Sequence, residues 1–134
     1  MKVYGHRGGF LPYNSLEAFK KARDEQIDGV ELDVWLTSDN ELAVIHGGPE
    51  GEILEGEDGA GVPDSGYIYT STYAQIKELD EATCKLEEVF DMYAGTSVEI
   101  DIEVKTDVTE GYQYRKDQVM EKILELIEFR NFKQ

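Results

Sequence analysis

Hydrophobic and polar positions along this chain switch between two periods. From Lys2 to His6 they alternate, and the run ends at the glycine-flanked His6-Arg7-Gly8-Gly9, which predicts a short strand. Leu16, Phe19 and Ala22, with Ile27 beyond them, then recur at helical spacing. Asn14 or Ser15 can cap that helix, and Glu17 places a negative charge in its first turn. Gly29 opens a second strand, Val30 to Leu36; Asp39-Asn40 is a turn, and Glu41 to His46 is a third strand. Tyr73 to Leu79 and Lys85 to Tyr93 read as two short helices, Ser97 to Lys105 as a fourth strand, and about Arg115 to Phe129 as a last helix.

Strands separated by helices predict parallel β/α units, with His6 and His46 both at the C-terminal ends of such strands. Between the third strand and the next helix lies a long loop. Positions 47 to 66 hold seven of the 13 glycines and two of the three prolines, and loops of this length are usually functional or disordered. A further loop with glycine and tyrosine precedes the last helix. A complete (β/α)8 barrel takes about 250 residues. The 134 residues therefore predict a single domain, 1–134, with an incomplete parallel (β/α) barrel of four strands, about its first half. Open sheet edges invite pairing, so self-association through them is expected.

The strand faces carry the candidate chemistry. On the fourth strand Val98, Ile100, Ile102 and Val104 share one face, and Glu99, Asp101, Glu103 and Lys105 share the other. On the second, Val30, Leu32 and Val34 oppose Glu31 and Asp33. A solvated edge could carry such acids at little cost. In a sheet covered on both faces, however, carboxylates need a cation or hydrogen bonds. Carboxylates one residue apart on a strand face can hold a hard cation such as Ca2+ or Mg2+. His6 and His46 are the only histidines, and imidazole is the side chain suited to moving protons near neutral pH. Arg7 can grip a phosphate bidentately or pair with one of the many acids. The set suits metal-assisted hydrolysis of a phosphate ester.

Charge narrows the partners. With 29 acidic against 13 basic residues the net charge is −16, which argues against nucleic acid and against anionic membranes. An anionic substrate would need local relief from that field, and a divalent cation is the simplest source. No run of about 18 apolar residues exists, so no transmembrane segment is expected, and the polar start is no signal peptide. A soluble, cytoplasmic protein is the expectation. Cys84 is the only cysteine, which rules out an intrachain disulfide and reads as a small filler.

Several segments together resemble the glycerophosphodiester phosphodiesterase family. Tyr4-Gly5-His6-Arg7-Gly8-Gly9 resembles its His-Arg-Gly start, and Pro12-Tyr13-Asn14-Ser15-Leu16-Glu17-Ala18-Phe19 its Pro-Glu-Asn-Thr-x-x-Ala-Phe segment. Glu31-Leu32-Asp33-Val34 with Thr37 and Asp39 is similar to its Glu-x-Asp-Val-x-x-Thr-x-Asp block. Leu42 to His46, Leu86-Glu87-Glu88-Val89 and Ile102-Glu103-Val104-Lys105 resemble later family segments. The resemblance implies a TIM-like barrel that hydrolyses small glycerophosphodiesters to glycerol 3-phosphate and an alcohol. It implies Glu31, Asp33 and Glu103 as ligands of Ca2+ or Mg2+, His6 and His46 as the general acid/base pair, and Arg7 and Lys105 as phosphate-binding groups. It also implies attack by the substrate's own glycerol hydroxyl, through a cyclic phosphate. The chain departs from the pattern at Gly47, where the family usually has Asp, at Tyr13, where it has Glu, and in length. Two alternatives stand beside this one: a non-catalytic metal- or phosphate-binding remnant, and a phospholipase D-type lyase of similar fold.

Overall fold

The computed structural model describes residues 1–48, 51–55, 60–61, 66–105 and 116–129. Its spine is β2 (Gly29–Leu36), eight residues of which all but Glu31 are buried. β1 (Tyr4–Gly5) pairs with it in parallel, Tyr4 against Gly29. The other edge of β2 runs parallel to β7 (Glu99–Val104) over six residues, from Gly29 against Glu99 to Val34 against Val104. That register sets apolar Val30, Leu32 and Val34 beside Ile100, Ile102 and Val104 on one face, and Asp33 beside Glu103 on the other.

The β1–β2 junction depends on close approach. A Cβ on Gly29 would lie 2.0 Å from Tyr4 Cε1 and 2.8 Å from the Glu99 carbonyl oxygen, so only glycine lets both neighbouring strands close on β2 here.

One strand direction differs from expectation. β3 (Leu42–Val44) is antiparallel to β2, with Val34 against Val44 and Leu36 against Leu42. Five residues separate β2 from β3, too few for the crossover a parallel pair needs. β3 pairs in turn with a strand the periodicity did not predict, β6 (Cys84–Lys85), again antiparallel. The sheet is therefore mixed, with parallel β1, β2 and β7 and an antiparallel extension at one end. His46 follows an antiparallel strand, two residues past its end.

Helices cover the apolar face. In α1 (Leu16–Asp24) the Ser15 hydroxyl accepts the Ala18 N–H as N-cap, and Ala18, Phe19 and Ala22 are fully buried. α3 (Leu86–Tyr93) buries Leu86, Val89, Phe90 and Tyr93. The rings of Phe19 and Tyr93 meet edge-on at 6.3 Å, and the Tyr93 hydroxyl donates to the Phe19 carbonyl at 2.8 Å. α2 (Tyr73–Leu79) starts on a Thr72–Gln75 capping box. α4 (Lys116–Phe129) inserts Val119 and Ile123 into the core. Cys84 is buried, and its thiol, pushed far up in pKa by desolvation, approaches the Asn14 carbonyl at 3.7 Å.

The expected loop at 47 to 66 contains strands among its described residues. Leu54–Glu55 and Ala60–Gly61 form a two-stranded antiparallel hairpin (β4 and β5), and Ile53 beside it is buried. Residues 49–50, 56–59 and 62–65 of that loop, and the loop at 106–115, lie outside the described residues. Among the described residues no helix is long and apolar enough to cross a membrane.

Candidate functional site

The polar face of β2 and β7 gathers three carboxylates. One oxygen from each of Glu31, Asp33 and Glu103 lies within 4.8 Å of the other two. The rest of the acidic row on β7 goes elsewhere. Glu99 bonds the Lys2 ammonium and the Tyr4 hydroxyl at the start of the sheet, and Asp101 is exposed.

Asp33 is the centre of the group, at 1% exposure. Lys105 Nζ lies 3.6 Å from its Oδ1 and 2.9 Å from Glu103 Oε1. Arg7 Nε lies 3.8 Å from its Oδ2. The same oxygen accepts a hydrogen bond from Asn14 Nδ2 at 3.0 Å. Asn14 is buried and left-handed, with φ of +57°, a conformation that asparagine tolerates better than most residues. Its backbone N–H donates to the Arg7 carbonyl at 2.8 Å, tying the segment before α1 to the turn after β1. The sequence marked Asn14 only as a possible cap; Ser15 takes that role and leaves the amide free to hold Asp33.

The turn His6-Arg7-Gly8 follows β1 directly, and Arg7 is itself left-handed at φ +52°. Its backbone N–H donates to Glu31 Oε2 at 3.1 Å, and His6 Nε2 lies 3.8 Å from the same oxygen. The His6 ring is exposed. Arg7 Nε is buried, and among the described residues no acceptor lies within hydrogen-bonding distance of it.

His46 reaches the group through its charge field. Burial lowers its pKa; Asp33 draws it up, and Arg7 and Lys105 press it down. Its Nδ1 lies 2.8 Å from the Gly47 carbonyl oxygen, and its own carbonyl accepts the Trp35 indole N–H at 3.0 Å. Gly47 is left-handed at φ +71°, and a Cβ there would lie 2.7 Å from Ile68 Cδ1 and 3.1 Å from Trp35 Nε1. An aspartate at this position would meet both obstacles.

Electrostatics separate the acids. Burial pushes the Glu31 carboxyl above its ordinary value, and the like charges of Asp33 and Glu103 add to this, against the Arg7 N–H and His6. The hydrogen bond from Lys105 holds Glu103 below its ordinary value.

Comparison with known proteins decides the family. The chain matches the glycerophosphoryl diester phosphodiesterase family over residues 6–134. It belongs to that family. A glycerophosphodiester phosphodiesterase of Caldanaerobacter subterraneus subsp. tengcongensis is 33% identical over 119 residues, covering 79% of this chain and 46% of the relative. One of Bacillus altitudinis is 32% identical over 141 residues, covering 95% and 52%. The solved glycerophosphodiester phosphodiesterase of Thermotoga maritima superposes with a TM-score of 0.63 at 29% identity, covering 97% of this chain and 58% of that one. The chain thus spans about half the length of the curated relatives it matches, and its fold is that of the family's barrel structures.

Proposed function

We propose that the protein is a divalent-cation-dependent glycerophosphodiester phosphodiesterase, or the part of one that carries its site. The observation that carries this is the convergence of the Glu31, Asp33 and Glu103 oxygens beside Arg7 and Lys105. The donor set fits a hard cation. Calcium ligands lie about 2.3–2.6 Å from the ion, so opposite oxygens of one shell are separated by at most roughly 5.2 Å, and these three, within 4.8 Å of one another, can share one shell. Magnesium, with its shorter bonds, would draw them closer together.

Charge supports the same reading. Three carboxylates face two fixed cations, which leaves the group net negative and unfit for a phosphodiester anion. A bound divalent cation would reverse that sign, polarise the phosphoryl oxygens and lower the pKa of an attacking hydroxyl. The chain's own groups divide the remaining tasks. The Arg7 guanidinium, held beside Asp33 by its Nε, donates to a phosphate oxygen. Lys105 holds a second oxygen and balances Glu103 and Asp33. His46, kept neutral by burial, takes the proton of the attacking glycerol hydroxyl, and the exposed His6 protonates the departing alcohol. Water then opens the cyclic phosphate to glycerol 3-phosphate. The names of the two curated relatives support this substrate class.

In this proposal residues 1–134 form the N-terminal part of a barrel domain, with four strands near the site. Self-association is part of the same proposal. Among the described strands β7 pairs only with β2, and α4 exposes Met120, Leu124 and Phe129. Sedimentation that gives a monomer at all concentrations would remove it.

A second reading has one observation in its favour. Beyond β7 the site is open among the described residues, with Glu103 more than half exposed, as in a module that binds cation and phosphate without turnover. Hydrolysis of glycerophosphocholine with Ca2+, Mg2+ or EDTA separates the two. Cation-dependent release of glycerol 3-phosphate, abolished in His6→Ala and His46→Ala, supports the enzyme. Cation-induced stabilisation without product supports the binding module, and a cyclic phosphate as final product supports a lyase.

A further inference from the structure

The geometry points to Trp35 and the Gly47 carbonyl as a positioning pair that fixes the His46 ring with its proton on Nδ1 and its lone pair on Nε2. The inference rests on the acid/base reading of His46 for its catalytic meaning, though the tautomer is a property of the folded chain alone.

A carbonyl oxygen can only accept, so the 2.8 Å contact between His46 Nδ1 and the Gly47 oxygen requires the hydrogen on Nδ1. A neutral imidazole has one N–H, so Nε2 is then the free base. This is the opposite of the tautomer that free imidazole side chains favour in water, so the protein must impose it.

The Gly47 carbonyl is itself held in place. It can turn back toward the ring because Gly47 is left-handed, at φ +71°. The preceding peptide is pinned from inside the fold, where the Trp35 N–H bonds the His46 carbonyl at 3.0 Å. Trp35 is fully buried on β2, between Val34 and Leu36 of the core. Ile68 Cδ1 and Trp35 Nε1 both crowd the position a Cβ would take on Gly47, so the turn packs closely against two core side chains. Trp35 thus acts through the His46–Gly47 peptide and touches no reacting atom, which makes it a positioning residue. Asp33, two positions along the same strand, belongs to the carboxylate group. β2 therefore carries both the cation-binding face and the anchor of the base.

The test is nitrogen-resolved NMR of the full chain. Long-range proton–nitrogen correlations at a pH where His46 is neutral report the tautomer directly, and His6→Gln removes the signals of the other histidine. The expected wild-type result is a pyrrole-type Nδ1 and a pyridine-type Nε2. Replacing Trp35 by its benzothiophene isostere keeps ring size and removes the N–H; the tautomer ratio should then move toward Nε2–H by about fivefold, the size of one lost neutral hydrogen bond. Gly47→Ala should move it the same way, and the isostere keeps the test decisive where the alanine variant fails to fold. Nε2–H in the wild type overturns the inference. An unchanged ratio with the isostere overturns the role of Trp35. Turnover that survives His46→Ala instead overturns the acid/base reading and leaves the tautomer result standing.

Discussion

Removing the Asn14 side chain tests how Asp33 is held. Asn14→Gly keeps a residue at ease at φ +57° and deletes the 3.0 Å bond from Nδ2 to Asp33 Oδ2. A buried hydrogen bond to a charged group contributes about 1.5–3 kcal/mol. The added freedom of glycine in the unfolded chain costs roughly 0.4–1 kcal/mol more. The expected destabilisation is thus about 2–4 kcal/mol, read from urea unfolding at neutral pH in EDTA. Asn14→Ala exchanges the glycine entropy for left-handed strain of about 1–2 kcal/mol and should cost at least as much. The same bond orients a carboxylate proposed as a cation ligand, and losing such support typically weakens metal affinity by about 10–100-fold. Calcium should therefore stabilise Asn14→Gly at concentrations at least about tenfold above those that serve the wild type. A loss below about 1 kcal/mol with unchanged calcium dependence would refute the account, because the Asn14–Asp33 bond would then carry neither the fold nor the ligand.

Three further expectations follow from individual contacts. Glu31 has its pKa raised on folding, so the unfolded chain releases that proton first as pH rises from about 4.5, and the folded state loses stability relative to Glu31→Gln across that window. Urea midpoints of the two proteins in EDTA should diverge in the variant's favour toward neutrality; divergence the other way refutes the shift. Gly29→Ala places a methyl 2.0 Å from the Tyr4 ring and 2.8 Å from the Glu99 oxygen and should cost about 1–3 kcal/mol, with Tyr4→Ala relieving only part because the backbone obstacle stays; full rescue would show that Tyr4 alone sets the spacing. Tyr93→Phe removes the 2.8 Å bond to the Phe19 carbonyl and should cost about 1 kcal/mol in thermal or urea unfolding; an unchanged midpoint would show that bond to be immaterial.

Much of this structure was legible in residue order. The period-two runs located β2 and β7, and their alternation sorted Glu31, Asp33 and Glu103 onto one face because side chains on a strand have no other choice. The start of α1 was legible because a hydroxyl precedes an apolar stripe at Ser15. Strand direction was less so, since alternation is the same in either sense. The short Asp39-Asn40 connection held the information that β3 is antiparallel, and loop length would have read it correctly. β6 was hidden because two residues establish no period. Glu99 and Glu103 look alike in sequence, and only the sheet ends tell them apart: one meets Lys2 and Tyr4, the other Lys105. Asn14, Trp35 and the Gly47 carbonyl escaped for a related reason. Their parts in the site come from backbone turns and from bonds spanning up to 19 positions, which no local pattern encodes.

The hydrogen bond from Trp35 to the His46 carbonyl has an optical consequence. Trp35 is the chain's single tryptophan, so light absorbed at the red edge of the protein band is emitted from one indole, and that indole is bonded to the peptide that carries His46. Its emission colour and lifetime depend on the dipole its N–H faces. The protein thus carries an unlabelled fluorophore bonded to the backbone of His46. A stopped-flow trace following cation or substrate addition would record the motion of one peptide unit, without a dye and without altering a residue.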